Sequence, residues 1–179
     1  MGVRNYLIEG VSGAGKTAVA TELRRRGYQA IHGDRELAYR GDPETGLPAT
    51  PDTEPPTALW LSQHWIWDVD KVRAYIADRD QPLTFFCGGS RNFAKFIHLL
   101  DGVFVLDVDA DTVNRRIDER LARDPTEFGG RPEERALIAR LHATKEDVPK
   151  NATIIDATAP IGRVVDDILS NCGAADGGA

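Results

Sequence analysis

Apolar positions along the chain gather in five short runs: Tyr6-Leu7-Ile8, Tyr28 to Ile31, Leu83 to Cys87, Val103 to Val108 and Ala152 to Ile155. A short apolar run bounded by polar residues is the pattern of a strand covered on both faces, so each run predicts a buried strand. The segments between them carry helical spacing instead. In Lys16 to Arg26, Val19, Ala20 and Leu23 share one face, and Gly27 follows as a candidate C-cap. Asp111 to Arg123 repeats the arrangement through Val113, Ile117 and Leu121. Strands alternating with helices require crossover connections, and crossovers imply a parallel sheet with helices on both faces: an α/β architecture.

Three stretches break the alternation. Residues Arg40 to Pro56 hold half of the 10 prolines and predict a loop or a loosely ordered insertion. Asp124 to Pro132, written DPTEFGGRP, places a Gly-Gly pair between two charged helices and reads as a short lid or a plain surface loop. The tail from Ser170 to Ala179 is expected to be frayed and inert, leaving residues 1–169 as one domain. No internal repeat is visible.

Composition narrows the function classes. The chain of 179 residues suits a single domain, and 41% apolar with 28% charged residues is the balance of a globular protein. A formal net charge of -6 with scattered arginines argues against an electrostatic nucleic-acid surface. No apolar run reaches a membrane span and no secretory leader is recognisable, so the expectation is a cytoplasmic protein with no membrane partner. Cys87 and Cys172 form no CxxC pair, and His32, His64, His98 and His142 lack metal-ligand spacing.

The chemistry concentrates first in Gly10 to Thr17, GVSGAGKT, which fits GxxxxGK[ST]. Small residues at Gly10, Ser12, Gly13, Ala14 and Gly15 let successive backbone N–H groups curl around phosphates at a helix N-terminus. Lys16 then pairs with the β and γ phosphates, and the Thr17 hydroxyl ligates magnesium. The expected strand before the loop and helix after it supply the context the motif needs. A moving γ-phosphoryl group also needs cations that close around it. Arg116 and Arg120 lie one turn apart before the lid segment, Arg131 within it and Arg140 beyond it. The plainer alternative is a solvated helix laced with Arg-Glu pairs.

In sequence order, GVSGAGKT, His32-Gly33-Asp34, RIDER at Arg116 to Arg120, GRPEE at Gly130 to Glu134, Arg140-Leu141 and IDATAPIGRVVDDIL from Ile155 resemble the landmarks of adenylate kinase and related nucleoside monophosphate kinases. The resemblance implies a three-layer P-loop NTPase domain whose five-stranded parallel sheet has the order 2-3-1-4-5. It also implies ATP as donor, phosphate contacts from Arg116, Arg120, Arg131 and Arg140, an adenine-side loop at Ala157 to Pro160, and an acceptor-side place for the Arg40 to Pro56 insertion. CGGSR from Cys87 stands in the place of the family's DGFPR motif, which puts Arg91 at a phosphate-binding arginine. Cys87 replaces the leading aspartate, leaving Asp34 as the candidate for a water-mediated magnesium contact. Leu37 replaces an acceptor-side arginine, with Arg35 and Arg40 nearby.

The same residues are also similar to gluconate and shikimate kinases. There an aspartate at the Asp34 position orients the acceptor hydroxyl, and a glycine pair like Gly88-Gly89 approaches it closely. Asp34 is then a proton acceptor, against the alternative that it caps a helix beginning near Glu36. Gly88-Gly89 is either an acceptor contact or only a tight turn. Trp60, Trp65 and Trp67 either stack a flat substrate or fill the core, His64 is a pocket or surface residue, and Cys87 is packing rather than a nucleophile.

These readings converge on an ATP- and Mg2+-dependent phosphotransferase acting on a small nucleoside- or nucleotide-like acceptor. Lys16, Asp34, Arg116, Arg120 and Arg131 are the catalytic candidates, and Asp34, Arg35, Gly88, Gly89 and Arg91 the acceptor candidates. A kinase of a small hydroxylated acid and a regulatory NTPase that transfers nothing are the alternatives. The oligomeric state is left open.

Overall fold

The computed structural model describes residues 3–173. Five parallel strands, β1 (Arg4–Glu9), β2 (Gln29–His32), β5 (Leu83–Cys87), β6 (Gly102–Asp107) and β7 (Thr153–Asp156), form the main sheet in the order β2-β5-β1-β6-β7. Counted among themselves these strands run 2-3-1-4-5. The chain numbering differs because two further strands, β3 (Ala38–Arg40) and β4 (Trp65–Trp67), pair antiparallel outside the sheet. Ile8 lies beside Cys87 on one side and Phe104 on the other, and His32 beside Cys87, so the strands end together along one edge.

Alternation along each strand divides the core into two. Tyr6, Ile8, Phe85, Phe104 and Leu106 pack with Val19, Ala20 and Leu23 of α1 (Lys16–Arg25), Val113 and Ile117 of α5 (Ala110–Arg123), Ile138 of α6 (Pro132–Thr144) and Val165 of α7 (Ile161–Asn171). Leu7, Ile31 and Phe86 face the other way, onto Leu37, Trp67, Phe96 and Val72 of α4 (Val69–Ala77). Each fully buried large side chain stabilises the fold by about 1.5–3 kcal/mol, so both layers are needed.

β3 and β4 were not expected. Trp65-Ile66-Trp67 follows α3 (Ala58–Gln63) and pairs in register with Ala38 to Arg40, with Ile66 and Trp67 both fully buried. The side-chain amide of Asn92 accepts from the Trp67 N–H at 3.0 Å and donates to its carbonyl at 2.9 Å, standing in for a neighbouring strand. The proline-rich segment is a hydrogen-bonded turn at its start. Asp42 Oδ1 accepts from the Glu44 and Thr45 amides, and the Tyr39 hydroxyl donates to the Gly46 carbonyl at 2.6 Å. The first residues of the expected tail are ordered instead: α7 runs through Asn171 and Cys172 is buried, and the rest of that expected tail, residues 174–179, lies outside the described residues. No helix among the described residues is long and apolar enough to cross a membrane.

Candidate active site

β1 delivers the chain into Gly10 at the carboxyl edge of the sheet, and α1 leaves from Gly15. No side chain caps α1, and its first turn holds no acidic residue, so its leading N–H groups are open to an anion. Gly13 and Gly15 have φ of 86° and 108°, which favour glycine, and α5 packs hard against them. A Cβ on Gly13 would meet the Val113 carbonyl at 3.1 Å, and one on Gly15 the Arg116 guanidinium at 3.3 Å. Lys16 folds back on its own loop, donating to the carbonyls of Gly10 and Val11. Thr17 is exposed beside it.

Asp34 lies within the short α2 (Gly33–Glu36), past the end of β2. It is not the cap of that helix: His32 holds the N-cap position. Its Oδ1 accepts from the Trp65 indole N–H at 3.1 Å and from the Gly89 amide at 3.4 Å. Gly88-Gly89 is both a tight turn and a meeting point. A Cβ on Gly88 would stand 2.8 Å from the Trp67 ring and 2.9 Å from Asp34 Oδ1. One on Gly89 would stand 3.1 Å from Glu9 Oε1 and 4.0 Å from Lys16 Nζ. Gly88→Ala should therefore destabilise the fold by about 1–3 kcal/mol in thermal unfolding and displace Asp34. An unchanged melting temperature would contradict this packing.

Glu9 was not singled out from the sequence. It ends β1 at 1% exposure, and its Oε2 has no hydrogen-bond partner. Burial pushes its carboxyl up to about 8, with Lys16 and Arg91 pulling it back only in part. The available signal was a carboxylate closing an otherwise apolar strand, Tyr6-Leu7-Ile8-Glu9, immediately before the glycine loop. Burial likewise pushes the Cys87 thiol far up, so it is packing and not a nucleophile, as expected.

No protein-family model and no curated protein matches this chain. Solved structures do match. A sugar kinase from Janibacter sp. matches over 97% of this chain and 96% of its own, with TM-score 0.58 and 20% identity. A gluconokinase from Sinorhizobium meliloti covers 96% and 92% with TM-score 0.55 and 16% identity. A shikimate kinase from Bacteroides thetaiotaomicron covers 95% and 98% with TM-score 0.58 and 14% identity. The chain has the fold of the P-loop small-molecule kinases.

Within this P-loop kinase fold the expected arginines separate into two pairs. Arg116 donates to the Ala14 carbonyl at 2.9 Å and to the Ala157 carbonyl at 2.8 Å, tying the phosphate loop to the segment that leads through Pro160 into α7. Arg120 donates to Ser12 Oγ at 3.0 Å and to the Phe128 carbonyl, and its Nε makes no hydrogen bond, with Glu127 at 4.0 Å. Arg131 instead sits at the N-cap of α6, paired with Glu133 at 2.8 Å and Glu134 at 2.9 Å, and donates to the Pro56 carbonyl. Arg140 pairs with Glu146 at 2.8 Å and lines an apolar groove between α3 and α6. For these two, carboxylate partners stand where the resemblance implies phosphate. The segment 124–132 is docked: Phe128 packs on the core and Gly129 donates to Glu134.

The acceptor candidates divide as well. Arg91 is closed off, with its guanidinium on Asp147 at 3.1 Å, the Ser62 carbonyl at 3.0 Å and Ser62 Oγ at 2.7 Å. Arg35 is exposed on α2 and has no ion pair among the described residues. Of the tryptophans, Trp65 reaches Asp34, Trp67 is core, and Trp60 stacks on His64 at 4.2 Å.

Proposed function

We propose that the chain transfers the γ-phosphoryl group of ATP, with magnesium, to a hydroxyl of a small uncharged, nucleoside-like acceptor. The observation that carries this reading is that Lys16 and Asp34 both reach the Gly88-Gly89 turn at the carboxyl edge of the sheet, where open parallel sheets bind ligands. The loop amides of Gly13 to Thr17 hold the donor phosphates, and Lys16 leaves the Gly10 and Val11 carbonyls to reach them. Asp34, oriented by the Trp65 indole, takes the proton of the attacking hydroxyl. The new bond joins that oxygen to the γ-phosphorus as the bond to the β-phosphate oxygen breaks. Arg116 and Arg120 brace the loop from α5 and add positive charge beside it. Thr17 has the hard oxygen donor that magnesium takes, and the ion neutralises charge on the phosphates.

Two features favour an uncharged acceptor over a sugar acid or a monophosphate. The Arg91 guanidinium is already matched by Asp147 and Ser62, and Leu37, at 2% exposure, fills the position of an acceptor-side arginine. The test is ATP consumption with a panel of nucleosides, monophosphates and sugar acids. Turnover is expected with a nucleoside. Preferential turnover of a sugar acid or a monophosphate contradicts this acceptor class.

A further inference from the structure

Two carboxylates flank the Gly88-Gly89 turn, and their neighbours give them different work. Asp34 stands on the β2 side, held by Trp65 and Gly89. Glu9 stands on the β1 side, where Oε1 and the Lys16 ammonium converge on Gly89 while Oε2 has no partner at all. A buried polar oxygen without a partner is costly, so this unpartnered Oε2 is open to a donor or cation that arrives with the ligand. The resident cations do not fill that role: Lys16 leaves the Gly10 and Val11 carbonyls for the donor phosphates in the reaction proposed above, and Arg91 is held by Asp147 and Ser62.

The chemistry of the partner follows from what else the site holds. No group of three or more His, Cys, Asp or Glu side chains is arranged for a metal among the described residues, so no protein cage exists for a resident ion. Magnesium reluctantly sheds its waters and is usually carried on phosphate oxygens with one or two protein contacts, some through water. The neighbouring strand β5 ends in Cys87, a buried thiol that offers such an ion nothing.

We propose that Glu9 holds the hydrated magnesium of the bound nucleotide through a metal-bound water, alongside the Thr17 hydroxyl. This moves the water-mediated contact from Asp34, which is left to the acceptor. Glu9 is then a positioning residue, and its assignment rests on the phosphotransferase reading above.

Calorimetric titration of the full chain with ADP, once in Mg2+ and once in EDTA, tests it. Magnesium should tighten ADP binding to the wild type. In Glu9→Gln the affinity in EDTA should persist while the gain from magnesium falls by roughly tenfold or more, the usual effect of losing an outer-shell partner. If that variant does not fold, Glu9→Asp, which withdraws the charge by one methylene, must show the same selective loss. An undiminished gain from magnesium, or equal weakening with and without the ion, overturns the assignment. ADP failing to bind the wild type in either condition would instead contradict the phosphotransferase reading itself.

Discussion

Lys16→Ala should lower the rate of phosphoryl transfer by about a thousandfold, the effect of removing one preorganised cationic donor from a transferring group. The fold should survive the change. The ammonium is bound only to the carbonyls of Gly10 and Val11, and alanine suits the start of α1, so the melting temperature should stay near that of the wild type. Affinity for ATP should weaken as well, because the charge contacts ground-state phosphates. A variant that transfers within tenfold of the wild-type rate would show that Lys16 does not meet the donor.

Asp34→Asn should reduce transfer by about a hundredfold to ten-thousandfold while leaving ATP affinity unchanged. The separation of the two effects identifies the role. An asparagine carbonyl still accepts from the Trp65 indole and the Gly89 amide, so the turn and the β3-β4 pair stay in place. What is lost is the ability to take a proton. Single-turnover kinetics with saturating ATP reads the chemical step, and calorimetry reads the binding. Loss of ATP affinity equal to the loss of rate would place Asp34 on the donor side instead.

The parts of the site legible in the sequence are those carried by local backbone chemistry. GVSGAGKT declares itself because small residues, a lysine and a hydroxyl at fixed spacing have few other uses, and the apolar runs predict the five sheet strands. Gly88-Gly89 and Asp34 were visible as alternatives, between turn and acceptor contact and between cap and base. The folded chain removes the cap reading, since His32 holds that position, and brings Gly89 within 3.4 Å of Asp34 Oδ1; the acceptor roles are part of the proposed function.

What was not legible depends on partners distant in sequence. Trp65-Ile66-Trp67 is a strand because Ala38 to Arg40 pairs with it and Asn92 supplies the hydrogen bonds on its other side. A three-residue window contains neither fact. Glu9 is conspicuous only once its burial and its closeness to Gly89 are known. Arginines are the least readable. The helical spacing of Arg116 and Arg120 and the positions of Arg131 and Arg140 look alike on paper. Nearby Glu133, Glu134 and Glu146 claim the latter two, whereas the former two donate into the phosphate loop where α5 crosses it, Arg120 with Glu127 only at 4.0 Å. Arg91 is matched by Asp147, from a loop joined to it only by the fold.

The proposed reaction has Lys16 on the donor phosphates and Asp34 on the acceptor hydroxyl, both beside the Gly88-Gly89 turn. Phosphorus NMR of the protein with ATP, Mg2+ and the acceptor panel tests it most directly. The γ-phosphorus signal should be replaced by that of a phosphate ester on the acceptor, and Asp34→Asn should suppress this product. Release of inorganic phosphate alone, at a rate no acceptor alters, would contradict it.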